Sequence, residues 1–380
     1  PEKDLPVLLP EKVKFGKGNP LATNKEFVNV KCPKCKGKGK RETDTMDTFV
    51  NSSWYYLRYC DSKNKKAIFN RKKVNYWCPV DQYIGGPEHI TMHLIYIRFY
   101  TKFLRDLGLL GFDEPALKYF TQGIVKGSDG EKMSKSRGNV VEPLGSIKKY
   151  GADSLRLYLV SNSSPENDFI WNDEAIEGSF KFINKIINYF ENYKQGKSDD
   201  KIKSKMNKTI KEVSEDIENF RYNLAIIKIR GFFDSFKQKE SKDVIENFLK
   251  LFSVFCPHIC EELWHKLGNK SFISLESWPK AGKIDEKLLK QEEMNIKLVE
   301  DINNILNIIK NKGGKARKVK IYAIPKEIGI YDKAEIERKI SLPVEILSIS
   351  ELREALFNSR YKSRIPKGAF YSSGDEYEHQ

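Results

Sequence analysis

The feature of this sequence that most constrains its fold is a change of pattern near residue 150. Between residues 45 and 151, short strand-like runs alternate with helix-like runs, and strand candidates lie at Met46–Val50 and Gln82–Ile84. Each candidate strand precedes a predicted helix, the second of which covers Glu88–Leu107 and ends at Gly108. Alternation of this kind predicts a mostly parallel sheet covered by helices, the α/β class.

After residue 150 the apolar residues recur at helical spacing, which predicts a mainly α-helical region. Further helices are predicted over Phe248–Leu267 and Glu292–Lys310, and Val319–Ala323 is a strand candidate after two glycines. The two clearest apolar series are Phe180, Ile183, Ile186, Ile187 and Phe190, and then Ile217, Phe220, Leu224, Ile227 and Phe232. The expected fold is therefore α/β followed by all-α, with a small α+β extension.

The charge of the chain favours a polyanionic partner. Lys and Arg number 67 against 52 Asp and Glu, a formal net charge of +15, which suits nucleic acid and is equally compatible with a role in solubility. Hydrophobic residues make up 39%, which excludes a wholly disordered chain. No apolar run approaches the roughly 18 residues of a membrane span, so we expect a cytoplasmic protein with no membrane partner.

The segment Gly130–Asn139, with the sequence GEKMSKSRGN, concentrates hydrogen-bond donors between turn residues. Its two lysines, two serines and one arginine can converge on one anion, and ammonium and backbone N–H groups suit the triphosphate of a nucleotide. For a shorter K-x-x-K pattern, a solvated basic loop would be the better interpretation. The full Lys-Met-Ser-Lys-Ser string is more specific, and it resembles the KMSKS signature loop of class I aminoacyl-tRNA synthetases.

A second nucleotide signal lies upstream of this loop. The segment Asp81–His89, with the sequence DQYIGGPEH, is a predicted strand that ends in a glycine turn and opens a helix. Gly85 and Gly86 would let the backbone approach a nucleotide closely at the carboxyl end of a strand, where open α/β sheets bind ligands. Two glycines before a helix are by themselves weak evidence for a nucleotide site. The lysine loop farther along the chain strengthens this interpretation.

Three further segments resemble the leucyl-tRNA synthetases within that class. They are Thr43–Arg58, the helix that bears Glu88-His89 and His93–Tyr96, and Phe255–Trp264, which is similar to part of an anticodon-binding bundle. The resemblance covers nearly all of residues 1–280, and isoleucyl and valyl relatives differ after the equivalent of Met46-Asp47. It implies the C-terminal half of a Rossmann-like catalytic domain followed by a helical anticodon-binding bundle.

The resemblance also implies how the chain is divided. A connecting segment with a Cys-x-x-Cys turn at 1–40 precedes the second half of the catalytic domain at 41–150, which carries the KMSKS loop. A linker that contacts the tRNA stem follows at 151–178, then the anticodon-binding domain at 179–285 and the α+β extension at 286–380. In that extension, Lys315–Lys320 and Lys362–Lys367 are basic runs that could contact tRNA.

The site residues are implied by the resemblance, position by position. Lys132 and Lys135 would be catalytic because they hold the ATP phosphates. The ATP site would comprise Gly85, Gly86, Glu88, Met133, Ser134, Lys135 and Ser136, with Glu88 on the ribose. The leucine pocket would comprise Phe49, Ser52, Tyr55, His89 and His93. Without the resemblance, Phe49 and Tyr55 would be interpreted as ordinary core aromatics.

Two patterns raise the question of a bound metal. His89 and His93 follow Glu88, but zinc proteases place their Glu between the histidines, and a third ligand is lacking, so contact with leucine is favoured. Cys32 and Cys35 form a single C-x-x-C turn, and no second C-x-x-C or His pair supplies the two further ligands of a tetrahedral zinc site. Zn²⁺ at Cys32 and Cys35 is therefore the less favoured alternative, whereas Mg²⁺ is expected with ATP.

The resemblance implies ATP-dependent activation of leucine and transfer of the leucyl group to tRNA-Leu. Neither the other class I signature, a His-Ile-Gly-His-like string, nor the editing domain occurs in these 380 residues. We therefore expect the C-terminal part of a leucyl-tRNA synthetase, a ligase that needs an N-terminal subunit or segment carrying both. The alternatives are a catalytically idle tRNA-binding module and a class I synthetase of neighbouring specificity for isoleucine, valine or methionine.

Overall fold

The computed structural model describes residues 1–350, and the predicted basic run Lys362–Lys367 lies outside this part. The chain forms two compact units, Pro1–Ile124 and a second unit that begins at Val125. Each unit has its own hydrophobic core. The predicted leucine-pocket residues and the glycine turn belong to the first unit, and the lysine loop belongs to the second.

The first unit combines short helices with two small sheets. Its helices are α1 (Lys25–Val28), α2 (Thr48–Ser52), α3 (Tyr55–Tyr59), α4 (Arg71–Trp77) and α5 (His93–Asp106), with 3-10 turns at Glu2–Asp4 and Pro87–His89. Its strands are β1 (Asn29–Lys31), β2 (Lys38–Lys40), β3 (Tyr83–Gly85) and β4 (Tyr119–Thr121). Strands β1 and β2 are antiparallel, whereas β3 and β4 are parallel, with Tyr83 opposite Tyr119. The parallel pair, joined through α5, confirms the predicted α/β character.

The prediction of a strand at Met46–Val50 is wrong, because α2 begins within this segment. The Asp47 carboxylate accepts a hydrogen bond from the Phe49 N–H at 2.8 Å and so caps the helix. This local bond competes successfully with strand pairing. As a result Phe49 and Ser52, three positions apart, share one side of a helical turn, whereas a strand would place them on opposite faces.

The second unit is mainly helical. Its strands β5 (Val125–Lys126) and β6 (Phe169–Ile170) are parallel and enclose, in sequence, the lysine loop and the helices α6 (Pro143–Tyr150) and α7 (Ala152–Ser161). The bundle comprises α8 (Asp173–Glu191), α9 (Asp200–Glu218), α10 (Tyr222–Phe233), α11 (Lys242–Ser253) and α12 (Pro257–Lys266), followed by a 3-10 turn at Ile273–Leu275. None of the helices within residues 1–350 has the combination of length and hydrophobicity that a membrane span requires.

The bundle packs around apolar side chains that α8 to α12 contribute in turn, as the helical spacing predicted. The Phe182 ring meets those of Phe233 and Phe252 almost at right angles, with centroids 5.8 and 5.9 Å away, a favourable arrangement for aromatic pairs. The single helix predicted over Phe248–Leu267 is wrong, because α12 begins anew at Pro257. Proline has no N–H to continue the preceding helix.

The final described elements form an α+β layer, as predicted. They are α13 (Glu286–Asn311), β7 (Val319–Ala323), α14 (Pro325–Ile328), α15 (Lys333–Ile340) and β8 (Val344–Ser348). Strands β7 and β8 are parallel, with Val319 opposite Val344. Lys201 of α9 forms an ion pair with Glu335 of α15 at 2.9 Å, which attaches this layer to the bundle.

Candidate functional site

Several of the predicted leucine-pocket residues surround the imidazole of His93, the first residue of α5. The Ser52 hydroxyl lies 3.4 Å from His93 Nδ1, and the ring centroid of His89 lies 5.8 Å from that of His93. The Phe49 ring lies 6.4 Å from the His93 ring and stacks on Tyr96 at 6.1 Å. Contact between α2 and α5 brings these side chains, distant in sequence, into one group, which we call the His93 cluster.

Tyr55 reaches this cluster through Tyr83, a residue that the sequence prediction did not include. The hydroxyls of Tyr55 and Tyr83 lie 3.2 Å apart, and the Tyr83 hydroxyl lies 2.7 Å from His93 Nε2. Strand alternation is the signal that could have identified Tyr83. Its neighbour Ile84 is 47% exposed, so Tyr83 and Gly85 face the opposite side of β3.

Both ring nitrogens of His93 lie against hydroxyl groups, and the side chain is only 7% exposed. Burial, and to a lesser extent the neighbouring His89, lowers the pKa of His93, so its imidazole is neutral near pH 7. This environment suits a pocket wall better than a metal ligand. Among residues 1–350, no group of three or more His, Cys, Asp and Glu side chains is placed to hold a metal ion.

The glycine turn after β3 presents its backbone and one carboxylate. The Tyr119 hydroxyl donates a hydrogen bond to the Gly86 carbonyl oxygen at 3.3 Å, which links the turn to β4. A Cβ atom on Gly86 would collide with the Glu88 carboxylate, so the missing side chain is what lets this carboxylate lie over the turn. Glu88 is exposed, and its oxygens can accept hydrogen bonds from a ligand hydroxyl.

The lysine loop in the second unit is bounded by two glycines in the left-handed region, Gly130 with a φ of 77° and Gly138 with a φ of 70°. Lys132 and Lys135 are both exposed, and neither ammonium group forms an ion pair with another residue in the described range 1–350. Two such uncompensated cations in one short loop favour the binding of a polyanion.

The side chains beside these lysines make contacts that stabilise the loop. Met133 is half-buried and packs against the core formed by Leu155, Tyr158, Trp171 and Ile176. The hydroxyls of Ser134 and Ser136 lie 2.7 Å apart and bond to one another. Met133 therefore anchors the loop by packing, and its contribution to a ligand site would come from its backbone.

An asparagine outside the predicted site residues clamps this loop. Asn139 Oδ1 accepts a hydrogen bond from the Ser134 N–H at 2.8 Å, and Asn139 Nδ2 donates to both Asp129 carboxylate oxygens at 3.1 and 3.0 Å. The Glu131 N–H, and then Asn139, lower the pKa of Asp129, so this carboxylate is ionised at neutral pH. Asp129, Asn139 and Ser134, the asparagine clamp, thereby fix the segment that carries Lys132.

Cys32 and Cys35 lie in a tight turn between β1 and β2. The Cys32 N–H donates to the Gly37 carbonyl oxygen at 2.8 Å, and the Lys36 N–H donates to the Cys32 carbonyl oxygen at 2.9 Å. The backbone N–H groups of Cys35 and then Lys34 lower the pKa of the Cys32 thiol. Within the described residues, the pair has no companions that complete a metal site.

Two family models match the chain. Residues 12–172 match the tRNA synthetases class I (I, L, M and V), and residues 199–324 match the anticodon-binding domain of tRNA ligase. The first match contains the His93 cluster, the glycine turn and the lysine loop. The second covers the helices from α9 onward and ends just after β7.

The individual proteins that match this chain indicate which family of class I synthetases it belongs to. The leucine–tRNA ligases of Petrotoga mobilis and Thermotoga maritima are each 44% identical to this chain, in matches that cover 78% of it and 39% of the relative. The chain thus spans about two fifths of the length of these relatives. A crystal structure of the ternary complex of Agrobacterium radiobacter K84 agnB2 LeuRS with tRNA and LeuAMS matches with a TM-score of 0.68 and 34% identity, over 76% of this chain and 40% of that one. The chain therefore belongs to the leucine–tRNA ligase family of class I aminoacyl-tRNA synthetases, as its KMSKS loop and companion segments predicted.

Proposed function

We propose that this chain is the part of a leucine–tRNA ligase that supplies the KMSKS loop, one wall of the leucine pocket and the tRNA-binding bundle. In the first step the leucine carboxylate attacks the α-phosphorus of ATP, which forms leucyl-adenylate and releases pyrophosphate. In the second step a hydroxyl of the terminal ribose of tRNA-Leu attacks the leucyl carbonyl carbon, and AMP leaves. The observation that carries the proposal is the His93 cluster. It combines aromatic faces with a buried, neutral imidazole, the mixture of apolar lining and few polar groups that small-ligand sites use.

In this proposal the leucine side chain lies against Phe49 and the imidazoles of His89 and His93, with Ser52 and Tyr55 at the edge of the pocket. A hydrophobic pocket separates side chains that differ by one methylene by only about 1–3 kcal/mol. Selection of leucine over smaller amino acids therefore needs a further editing step. In this proposal no residue of the chain is assigned to that step.

The lysine loop would act on the phosphates. Lys132 and Lys135 would neutralise the charge that shifts onto the departing pyrophosphate, and Gly85, Gly86 and Glu88 would contact the adenosine, with Glu88 on the ribose. Ser134, Ser136 and the Met133 backbone would complete the ATP contacts. The reaction needs no covalent enzyme nucleophile, so these groups contribute by position and charge.

Mg²⁺ belongs to the proposal only as the ion that accompanies ATP. The lysine loop carries a single carboxylate, Glu131, which forms an ion pair with Arg137 at 3.0 Å, and one paired carboxylate among cationic side chains does not fit a cation ligand set. Residues 1–350 also contain no cluster of three or more His, Cys, Asp and Glu side chains that could hold a metal ion. We assign no step to the metal, and Zn²⁺ at Cys32 and Cys35 is not part of the proposed chemistry.

We further propose that the chain acts with a preceding segment or subunit that carries the rest of the catalytic fold and the editing function. The support for this proposal is that the match covers only 39% of the length of the Petrotoga mobilis relative. The site of action would be the cytoplasm, where ATP and tRNA are available.

The test is leucine-dependent pyrophosphate exchange and tRNA charging by the chain co-expressed with its N-terminal counterpart. Lys135→Ala should lower kcat on the order of 10²–10³-fold, the cost of losing one donor that stabilises the transition state. Lys148→Ala is the matched control, because Lys148 is also exposed and forms no ion pair within residues 1–350. Normal exchange by Lys135→Ala would contradict the role of the loop.

The same assay separates the alternatives. An idle tRNA-binding module would bind tRNA without supporting exchange for any amino acid. A synthetase of neighbouring specificity would exchange with isoleucine, valine or methionine in preference to leucine. Either result would overturn the proposed function.

A further inference from the structure

Two cysteines of the first unit face each other outside the proposed site. Cys60, the residue after α3, and Cys78, the residue after α4, have their Sγ atoms 3.8 Å apart. Cys78 is buried in the core of the unit, and the half-buried Cys60 packs against the same core. Neither thiol takes part in the proposed leucine or ATP chemistry.

The segment between the two thiols is already held as a closed loop. The Asp61 carboxylate, next to Cys60, accepts hydrogen bonds from Lys73 Nζ at 2.6 Å and from the Asn70 N–H at 3.0 Å. Bonded sulfur atoms lie about 2 Å apart, so side-chain rotation and a small local adjustment would bridge the remaining gap. The loop is therefore preorganised for closure while both thiols are reduced.

We propose that Cys60 and Cys78 form a site of covalent modification, at which a low-molecular-weight disulfide such as glutathione disulfide converts the two thiols into an intramolecular disulfide bond. Cys60, the more accessible thiol, attacks the oxidant as the thiolate, which forms a mixed disulfide and releases one glutathione. Cys78 then loses its proton and attacks Cys60 Sγ, which forms the Cys60–Cys78 bond and releases the second glutathione. Two electrons and two protons pass from the protein thiols to the oxidant.

Because Cys78 is buried, formation of the disulfide depends on how much oxidant is present. Desolvation, followed by the neighbouring Cys60, raises the pKa of Cys78 to about 12, so little Cys78 thiolate exists at neutral pH. The second step is therefore slow, and the pair stays reduced where oxidant is scarce.

The bond would join two segments that carry Tyr55 and Tyr83, the tyrosines that adjoin the His93 cluster. Tyr55 begins α3, which ends just before Cys60, and Tyr83 begins β3 shortly after Cys78. The hydroxyls of these tyrosines lie 3.2 Å apart, so the disulfide would fasten the backbone on both sides of that contact. The site itself does not depend on the proposed function, and its chemistry can be tested without it.

The test uses the full chain with Cys32→Ser and Cys35→Ser, since the half-buried Cys32 and the exposed Cys35 would compete for the oxidant. The folded protein is incubated with glutathione disulfide, mapped by non-reducing peptide mass spectrometry, and melted with and without dithiothreitol. We expect a linked peptide containing Cys60 and Cys78, and an unfolding midpoint of the first unit several degrees higher when oxidised, because the loop constrains the unfolded chain.

Cys60→Ser and Cys78→Ala, each checked for folding by circular dichroism, should abolish both the linked peptide and the shift. Three results would overturn the proposal. One is the absence of the linked peptide at oxidant levels that oxidise Cys32 and Cys35 in the unsubstituted chain. The others are a mixed disulfide that persists on Cys60, and a link that forms only in the unfolded protein.

Discussion

His93 shows how one residue organises a site through its partners. Its two ring nitrogens lie against hydroxyls from different elements, Ser52 of α2 and Tyr83 of β3. A neutral imidazole offers one donor and one acceptor, so the two hydroxyls must take complementary roles around it. Protonation would give the ring two donors and place a charge where burial and His89 disfavour it.

We therefore predict a pH dependence that belongs to this residue. Because the folded pKa is lowered from the ordinary 6.5, the unfolded chain binds a proton first as the pH falls. The stability contributed by neutral His93 is fully present above pH 6.5 and declines from there toward the folded pKa. An NMR pH titration, with the His93 signal assigned by its loss in His93→Gln, should give a midpoint below 6.5. A midpoint at or above 6.5 would show that the ring is not desolvated.

At the scale of the element, the lysine loop owes its shape to contacts at its base. The asparagine clamp ties Ser134 to Asp129, and Arg137 forms an ion pair with Glu131 at 3.0 Å. These bonds leave the ammonium groups of Lys132 and Lys135 as the charges the loop presents. A loop ordered before its ligand arrives loses less conformational entropy when it binds phosphate.

Asn139→Ala should loosen this loop without removing a charge. Loss of the hydrogen bonds, at about 1 kcal/mol each, should speed amide hydrogen exchange at Ser134 by about tenfold or more. In the complete enzyme we expect a lower kcat with little change in the KM for leucine. Asn184→Ala is the control, because the Asn184 side chain, among its contacts within residues 1–350, donates one hydrogen bond, to the Phe180 carbonyl oxygen of its own helix. An unchanged rate of amide hydrogen exchange at Ser134 would show that the asparagine clamp does not hold the loop.

At the scale of the whole molecule, the excess of positive charge suits the proposed tRNA partner. The net charge of +15 is spread over a chain whose helical region matches an anticodon-binding family. Contacts between lysine or arginine and phosphate release counterions, so binding of this kind depends steeply on salt.

The affinity of the chain for tRNA should fall linearly, on logarithmic axes, with rising KCl concentration. The slope should be roughly −0.7 to −0.9 per phosphate contacted, so that six contacts cost about 10³-fold between 50 and 200 mM salt. Fluorescence anisotropy with labelled tRNA measures this directly. A change in affinity of less than tenfold over that range would mean that the phosphate backbone of the tRNA contributes little to binding.

Much of the fold followed from periodicity. The helices of the bundle and the α+β layer agree with the predicted pattern because their apolar residues repeat at the period of their element. The errors occurred where one residue overrides that repeat. Asp47 caps a helix in a predicted strand, Pro257 divides a predicted helix, and Phe220, with a φ of 58°, ends α9 inside an apolar series that spacing alone assigned to one helix.

The sequence by itself determined the family, the α/β-then-helical order and the identity of the lysine loop, because these depend on residue types at fixed spacing. Only the tertiary structure placed Tyr83 between Tyr55 and His93, lowered the pKa of His93 by burial, and brought Cys60 to within 3.8 Å of Cys78. Such contacts join residues far apart along the chain. Their distances depend on how elements pack, and spacing along the sequence carries no measure of that.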